Sequence, residues 1–464
     1  MRPGIRVLRP TTQIPVISDL SRRKVLSTGG SLLVAQIATA LSGIVTARAL
    51  GPEGKGVVAG VMAWPQLSAW VLLLGLGTAT SLRVAETRDG SVSEALGNTV
   101  VYCLTVGVLG TVVGYAVLPG ALEHLGPDAR ATAHLALLAI PISMFTEVLA
   151  GICLGLGRVR RYNTARVVGG LTVLVASLAL VIADSATPQT VVLATMSGGL
   201  VGATIAAGGL PWRRIGVSLA KLRRDLAYGL RVFLTSMLNL INVRLDILLM
   251  TAFVSGSEIG YYTIANNAML PITVVGTTMA TLIMPAIGRA RADRAGEASE
   301  DGSLIRRTAA RYGLLMLIVA AVVAAAAPFA LPFVFGQAFE PAVVLVWILL
   351  PGFVLRGYAH IVDAGLIGMR RPWVGNLAQG AGVLITAAML PFLLPKYGAQ
   401  GAAITSTCAY SASAVISLWA LGRVQRIASK QTISTPLAPI GTPELDSTEI
   451  ADVRDVQPDP GTRS

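Results

Sequence analysis

Twelve long apolar runs, each nearly free of charge, dominate this sequence and leave it few ways to fold. Read as spans they cover approximately 25–47, 57–82, 95–118, 131–157, 167–183, 189–211, 228–254, 259–288, 312–335, 341–369, 373–394 and 399–421. A helix of about 20 apolar residues matches the thickness of a bilayer, whereas a membrane barrel needs short strands of alternating polarity. Lipid offers no partner for an open backbone, so helices are the spanning element left. The fifth run, 17 residues long, is the weakest of the twelve. Composition agrees, with 53% hydrophobic and only 13% charged residues. Soluble domains carry about a quarter charged residues, so lipid rather than water must cover most of this surface.

A net charge of +13 by itself would suit nucleic acid, but the charges sit in short loops between the apolar runs. With the N-terminus in the cytoplasm, the loops after spans 2, 4, 6, 8 and 10 hold 19 Lys and Arg. The outer loops hold three, Lys55, Arg130 and Lys396, with Arg48 counted at the end of the first span. A wrong helix count would scramble this asymmetry, so twelve spans with both termini cytoplasmic are expected, and nucleic acid is not an expected partner. About 24 mostly polar residues, ending in Ser21-Arg22-Arg23-Lys24, precede the first run, and no clear cleavage site follows it. The first helix therefore reads as a retained anchor. Cys103, Cys153 and Cys408 lie inside apolar runs and read as small core residues rather than a disulfide framework.

The runs divide into a cytoplasmic tail at 1–24, a six-helix lobe at 25–211, a basic cytoplasmic linker at 212–227, a second six-helix lobe at 228–421 and a tail at 422–464. Residues 431–464 are rich in Ser, Thr, Pro and acidic side chains and are expected to be disordered. Six spans is an even number, so both lobes enter the membrane in the same direction and any repeat between them is parallel. ARALGPEGKG (47–56) falls over TAFVSGSEIG (251–260) at an offset of 204, with Gly56 over Gly260. Each turn leads into a helix that carries a proline, Pro65 or Pro271.

These turns also carry a family resemblance. TARALGPEGKGVVAG followed by LGLGTATSLRVAE is similar to the start of bacterial polysaccharide flippases. LDILLMTAFVSGSEIGYYTIANNAMLP resembles the opening of their second half, and YGAQGAAITST the turn before their last core helices. That family lies within the multidrug/oligosaccharidyl-lipid/polysaccharide exporter superfamily, and the resemblance covers roughly residues 22–425. It implies an all-α polytopic membrane protein with two parallel-related six-helix lobes around a central cavity, working by alternating access. It implies as substrate a polyprenyl-diphosphate-linked glycan, moved across the bacterial cytoplasmic membrane for cell-surface polysaccharide. Other membrane proteins of polysaccharide assembly would be its further partners.

Ionisable groups inside spans are costly and need an interior position and a partner. On the seventh span Arg231, Thr235, Asn239, Asn242 and Asp246 fall within one stripe roughly 80° wide. The stripe either lines a wet cavity or forms a polar seam between packed helices. Arg244 points away from it, and either lines a second cavity wall or neutralises a carboxylate. On the tenth span Arg356, His360 and Asp363 share a face, with His360 one turn from Asp363 and able to pair with it. Glu147 stands alone near the middle of the fourth span. Cations among these suit a diphosphate: Arg356, Arg231 and Arg244, with the amides of Asn239 and Asn242, are the candidate substrate-binding residues. Asp246, Glu147, His360 and Asp363 are candidates for binding and releasing a coupling ion. Arg48 and Glu53 flank Gly51-Pro52 and read as part of the fold, because Gly and Pro explain that bend without a ligand.

Two exporters compete with this reading. Multidrug members of the superfamily often place an acidic residue in the first helix, where this chain has only Gln36 and hydroxyls. Lipid II flippases generally have fourteen helices and an arginine-rich first half. An enzyme is disfavoured: the largest outer loop is about a dozen residues around Glu123, His124 and Asp128, and no metal-spaced cluster or nucleophile motif occurs. No cofactor or metal is expected.

Overall fold

The computed structural model describes residues 22–86, 91–122, 125, 127–212, 215–293, 298–369 and 373–434. Its first seven helices are α1 (Arg22–Leu73), α2 (Leu76–Glu86), α3 (Ser91–Ala121), α4 (Pro127–Leu137), α5 (Ala139–Gly155), α6 (Val159–Ile182) and α7 (Pro188–Ala207). After the linker come α8 (Leu219–Phe253), α9 (Gly256–Ala268), α10 (Leu270–Asp293), α11 (Ala298–Phe335), α12 (Ala342–Gly368) and α13 (Trp373–Ser434). α13 continues well past the expected end of the last span at 421. The rest of the expected C-terminal tail, 435–464, and N-terminal residues 1–21 lie outside the described residues.

Eight stretches are long and apolar enough to cross a membrane. Two of them, Leu33–Leu73 and Gly375–Arg423, run to 41 and 49 residues. At about 1.5 Å per residue, each would be roughly twice the bilayer core if straight. Both break at a glycine in the left-handed region, Gly51 (φ 65°) and Gly398 (φ 52°). The chain doubles back there: Lys55 reaches Thr46 across the first turn, and Gly401 packs on the Leu393 carbonyl across the second. Each stretch is therefore two passes. α9 and α10, bent by 47° at Met269, make one further span. α8, long enough at 35 residues but interrupted by charged and amide side chains, completes the twelve.

Prolines decide where expected spans break. The fourth divides at Leu138 because Pro141 has no N–H for the Leu137 carbonyl, which the Thr111 hydroxyl approaches at 3.2 Å instead. Pro271 breaks the eighth in the same way. The fifth span is longer than its apolar run, since α6 begins at Val159 and takes in Arg160, Arg161 and Arg166. Arginine is a good helix former, and Arg158 and Arg161 donate to the Gly209 and Gly208 carbonyls just past the end of α7.

α1 packs on α6, α6 on α7, and α5 on α2 and α7; α12 packs on α10, α11 and α13, and α13 on α8. The lobes meet along α1 and α9. A Cβ on Gly56 would lie 1.7 Å from the Gly256 carbonyl oxygen, and one on Gly260 would lie 2.1 Å from that of Pro52. Only glycine permits this backbone contact, which lies at the end of the bundle carrying Gly51 and Gly398. Arg48 ties the same end to α11 by donating to the Phe333 and Val334 carbonyls, two of the groups a helix C-terminus leaves open. At the linker end Arg83 and Asp225 join the lobes at 2.9 Å, and Lys221 pairs with Glu94. Burial pushes the Asp225 carboxyl above its usual range, against the pull of Arg83, Arg224 and Lys221. The outer faces of the bundle are apolar, with Phe329 and Phe333 each 79% exposed, as lipid contact requires. The chain is a multi-pass membrane protein.

Candidate functional site

The C-terminal lobe holds a buried polar network. Asn242 and Asp246 stand one turn apart on α8 and are 4% and 1% exposed. Asp246 accepts the Tyr262 hydroxyl and the Ile247 amide, the latter at 2.8 Å. Tyr262 has one proton to give, so the Ser406 hydroxyl at 3.0 Å donates to the tyrosine oxygen. Asn242 donates to Gln379 on α13 at 3.0 Å. Asn242 and Asp246 thus belong to a seam between α8, α9 and α13, not to a cavity wall. Arg231, from the same expected stripe, is exposed. The side chains of Thr235 and Asn239 lie outside the described residues. Arg244 is partly buried, and no carboxylate lies within 4 Å of it among the described residues, so the expected ion pair is not formed there.

The face of α12 is arranged differently from the expected one. The Arg356 guanidinium lies over the Tyr410 ring, 4.5 Å from its centroid, and 5.9 Å from that of Phe353. Its Nε donates a long hydrogen bond to His360 Nε2 at 3.4 Å. The expected His360–Asp363 pair does not form; Asp363 accepts the Ser417 hydroxyl at 2.7 Å. The reason is lateral. α13 brings Ser417 and Tyr410 against α12, and these partners displace the contact along the helix.

The N-terminal lobe contains two adjoining cavities. One, of about 730 Å³, is bounded by α1, α2, α5 and α6, and both Glu147 and Arg166 line it. Arg166 belongs to a cytoplasmic loop in the expected topology, but it lies seven residues into α6, about 10 Å along the helix. Its Nη1 donates to the Tyr162 hydroxyl at 2.8 Å, and the guanidinium packs over that ring. The other cavity, of about 490 Å³, lies between α1, α5, α6 and α7, and its lining includes Gln36, Thr39, Thr46, Lys55, Arg166 and Thr195. Lys55, expected to be an outer-loop charge, turns into it. Tyr262, Tyr410, Ser417, Lys55 and Arg166 are the residues that sequence reasoning missed. Starting α6 in the basic stretch would have exposed Arg166, but the others leave no local signal. Among the described residues no group of three or more His, Cys, Asp or Glu could hold a metal.

The sequence matches the family model described as "Polysaccharide biosynthesis protein" over residues 21–291, more than half of the chain. No curated protein matches it significantly. Among solved structures it is similar to the inward-facing conformation of a multidrug resistance MATE family transporter of the MOP superfamily. That match has a TM-score of 0.72 and 18% identity, covering 87% of this chain and 99% of that one. It is similar to the lipid II flippase MurJ in an inward closed conformation, with a TM-score of 0.71, 11% identity and 88% and 92% of the two chains covered. An outward-facing conformation of a MATE family transporter matches at a TM-score of 0.57 and 18% identity, covering 87% and 94%. The fold is that of these MOP superfamily transporters.

Proposed function

The chain belongs to the polysaccharide biosynthesis protein family, and from that we propose that it is a flippase carrying a polyprenyl-diphosphate-linked oligosaccharide across the cytoplasmic membrane by alternating access. The family match carries the reading. The fold shared with a multidrug transporter and with a lipid II flippase supports a transporter rather than an enzyme. Arg231 and Arg244 are the cations proposed to meet a diphosphate, while Arg356 packs on Tyr410 and bonds His360 through Nε. Arg356 is thus a positioning residue of the C-terminal lobe. Glu147, in the cavity with Arg166, is the carboxylate proposed to couple transport to an ion, while Asp246 and Asp363 are held in the buried bonds to Tyr262 and Ser417.

Proteoliposomes loaded with a fluorescent polyprenyl-diphosphate oligosaccharide test this. Active protein should expose the inner-leaflet fraction to an impermeant quencher, and heat-inactivated protein should not. Absence of transfer, with export of a lipophilic cation in the same vesicles, would replace the flippase by a multidrug exporter.

A further inference from the structure

Among the described residues the cavity of about 490 Å³ in the N-terminal lobe is lined by two cations, Lys55 and Arg166, and by no carboxylate. The two are not equivalent. Arg166 rests on Tyr162 and shares the neighbouring cavity with Glu147. Among the described residues Lys55 Nζ has a single hydrogen-bond partner, donating to Thr46 Oγ1 at 3.1 Å. The Thr46 hydroxyl proton is already given to the Ser42 carbonyl at 2.8 Å, so threonine can only accept here. An ammonium carries three N–H donors, and two remain for the cavity. There is room beside them: a Cβ built on Gly43 would find only Nζ within 4 Å, at 3.9 Å.

The other hydroxyls do not supply the missing charge. Thr39, Thr146 and Thr195 each donate to a carbonyl one turn back on their own helix, leaving oxygen lone pairs to face the cavity. Such groups hold water but cannot neutralise a cation. Burial pushes the Lys55 ammonium down to about 8, so it is still mostly charged at neutral pH, and an anion in the cavity would stabilise that charge. Arg166 is packed on Tyr162, so the free donors facing the cavity are those of Lys55, whose single charge matches a monovalent anion.

We infer that the N-terminal cavity binds a small inorganic monovalent anion of the chloride class at the Lys55 ammonium, beside Thr46 and Gly43. The site is separate from the lobe interface and holds whatever the transported substrate is. A failed flippase assay would leave it standing, and its own failure would leave the flippase standing.

Thermal unfolding of the purified full chain in detergent tests it, with chloride replaced stepwise by gluconate at constant ionic strength. The melting temperature of the unaltered protein should rise saturably with chloride and with bromide. Lys55→Met should abolish that rise, Lys55→Arg should retain it, and Arg166→Met should keep it because Lys55 is still present. Equal curves in chloride and gluconate, or a chloride response surviving in Lys55→Met, would overturn the site. If Lys55→Met cannot be purified, crystals of the unaltered protein grown in bromide decide. An anomalous peak within hydrogen-bonding reach of Nζ supports the assignment, and an empty cavity overturns it.

Discussion

Gly56 and Gly260, which align at an offset of 204 in the sequence, meet face to face between the lobes: a Cβ on Gly56 would stand 2.7 Å from the Gly260 amide nitrogen. Their neighbours follow the same relation, with Pro52 under Gly260 and Gly256 under Gly56. The duplicated turns therefore form a near-symmetric backbone seal at one end of the bundle. Gly56→Leu should keep its membrane abundance and lose transport in the vesicle assay, because neither backbone can retreat from the new side chain. Normal transport by this variant would show that the seal opens without cost.

The Arg83–Asp225 bridge at the linker end is the second contact between lobes to test. Removing one member of a buried pair costs about 3–5 kcal/mol, whereas replacing both with apolar groups is often neutral. Asp225→Leu should therefore lower the melting temperature, and Arg83→Met with Asp225→Leu should recover most of the loss. Asp225→Asn should be milder. Burial raises this carboxyl, so the fold favours its protonated form and stability falls as pH rises through the raised value, above which the bridge offsets part of the loss.

Tyr262→Phe removes the hydroxyl that serves both Asp246 and Ser406. Leaving buried polar groups short of a partner costs about 1–3 kcal/mol. The expected result is reduced thermal stability, with Tyr262→Phe/Asp246→Leu less affected than the sum of the two single changes. Additive losses would mean that the two side chains do not act as a unit.

Arg356 is assigned to packing against Tyr410. Tyr410→Phe keeps the ring face and should leave stability near that of the unaltered protein, while Tyr410→Leu should lose about 0.5–2 kcal/mol. If Arg356→Gln stops transport at unchanged thermal stability, the guanidinium contacts substrate and the positioning role is wrong.

Topology is checked by reporters fused after Lys55, Pro127 and Lys396, expected outside, and after Arg160, Arg224 and Arg371, expected inside. One inversion between adjacent loops would break the twelve-span order.

The number and order of spans were legible in the sequence because bilayer insertion reads local quantities: the length of an apolar run and the cations at its ends. The turn at Gly51 and the repeat placing Gly56 over Gly260 were legible for a similar reason, since a left-handed bend restricts the residues at one point of the chain. What those residues touch was not. Arg356 and His360 share a face of α12, as their spacing requires, but whether that face meets a ligand or Tyr410 depended on where α13 came to rest, more than fifty residues on. Asp246 found Tyr262 and Ser406, and Lys55 turned into the N-terminal lobe; none of these has a periodic signature. Lateral packing of helices brings such groups together, and in lipid it is set by close fit and buried polar contacts rather than by hydropathy. The sequence by itself determined how often and in which order this chain crosses a membrane, and the tertiary structure alone decided which polar groups are satisfied inside it and which cation keeps unused donors toward a cavity.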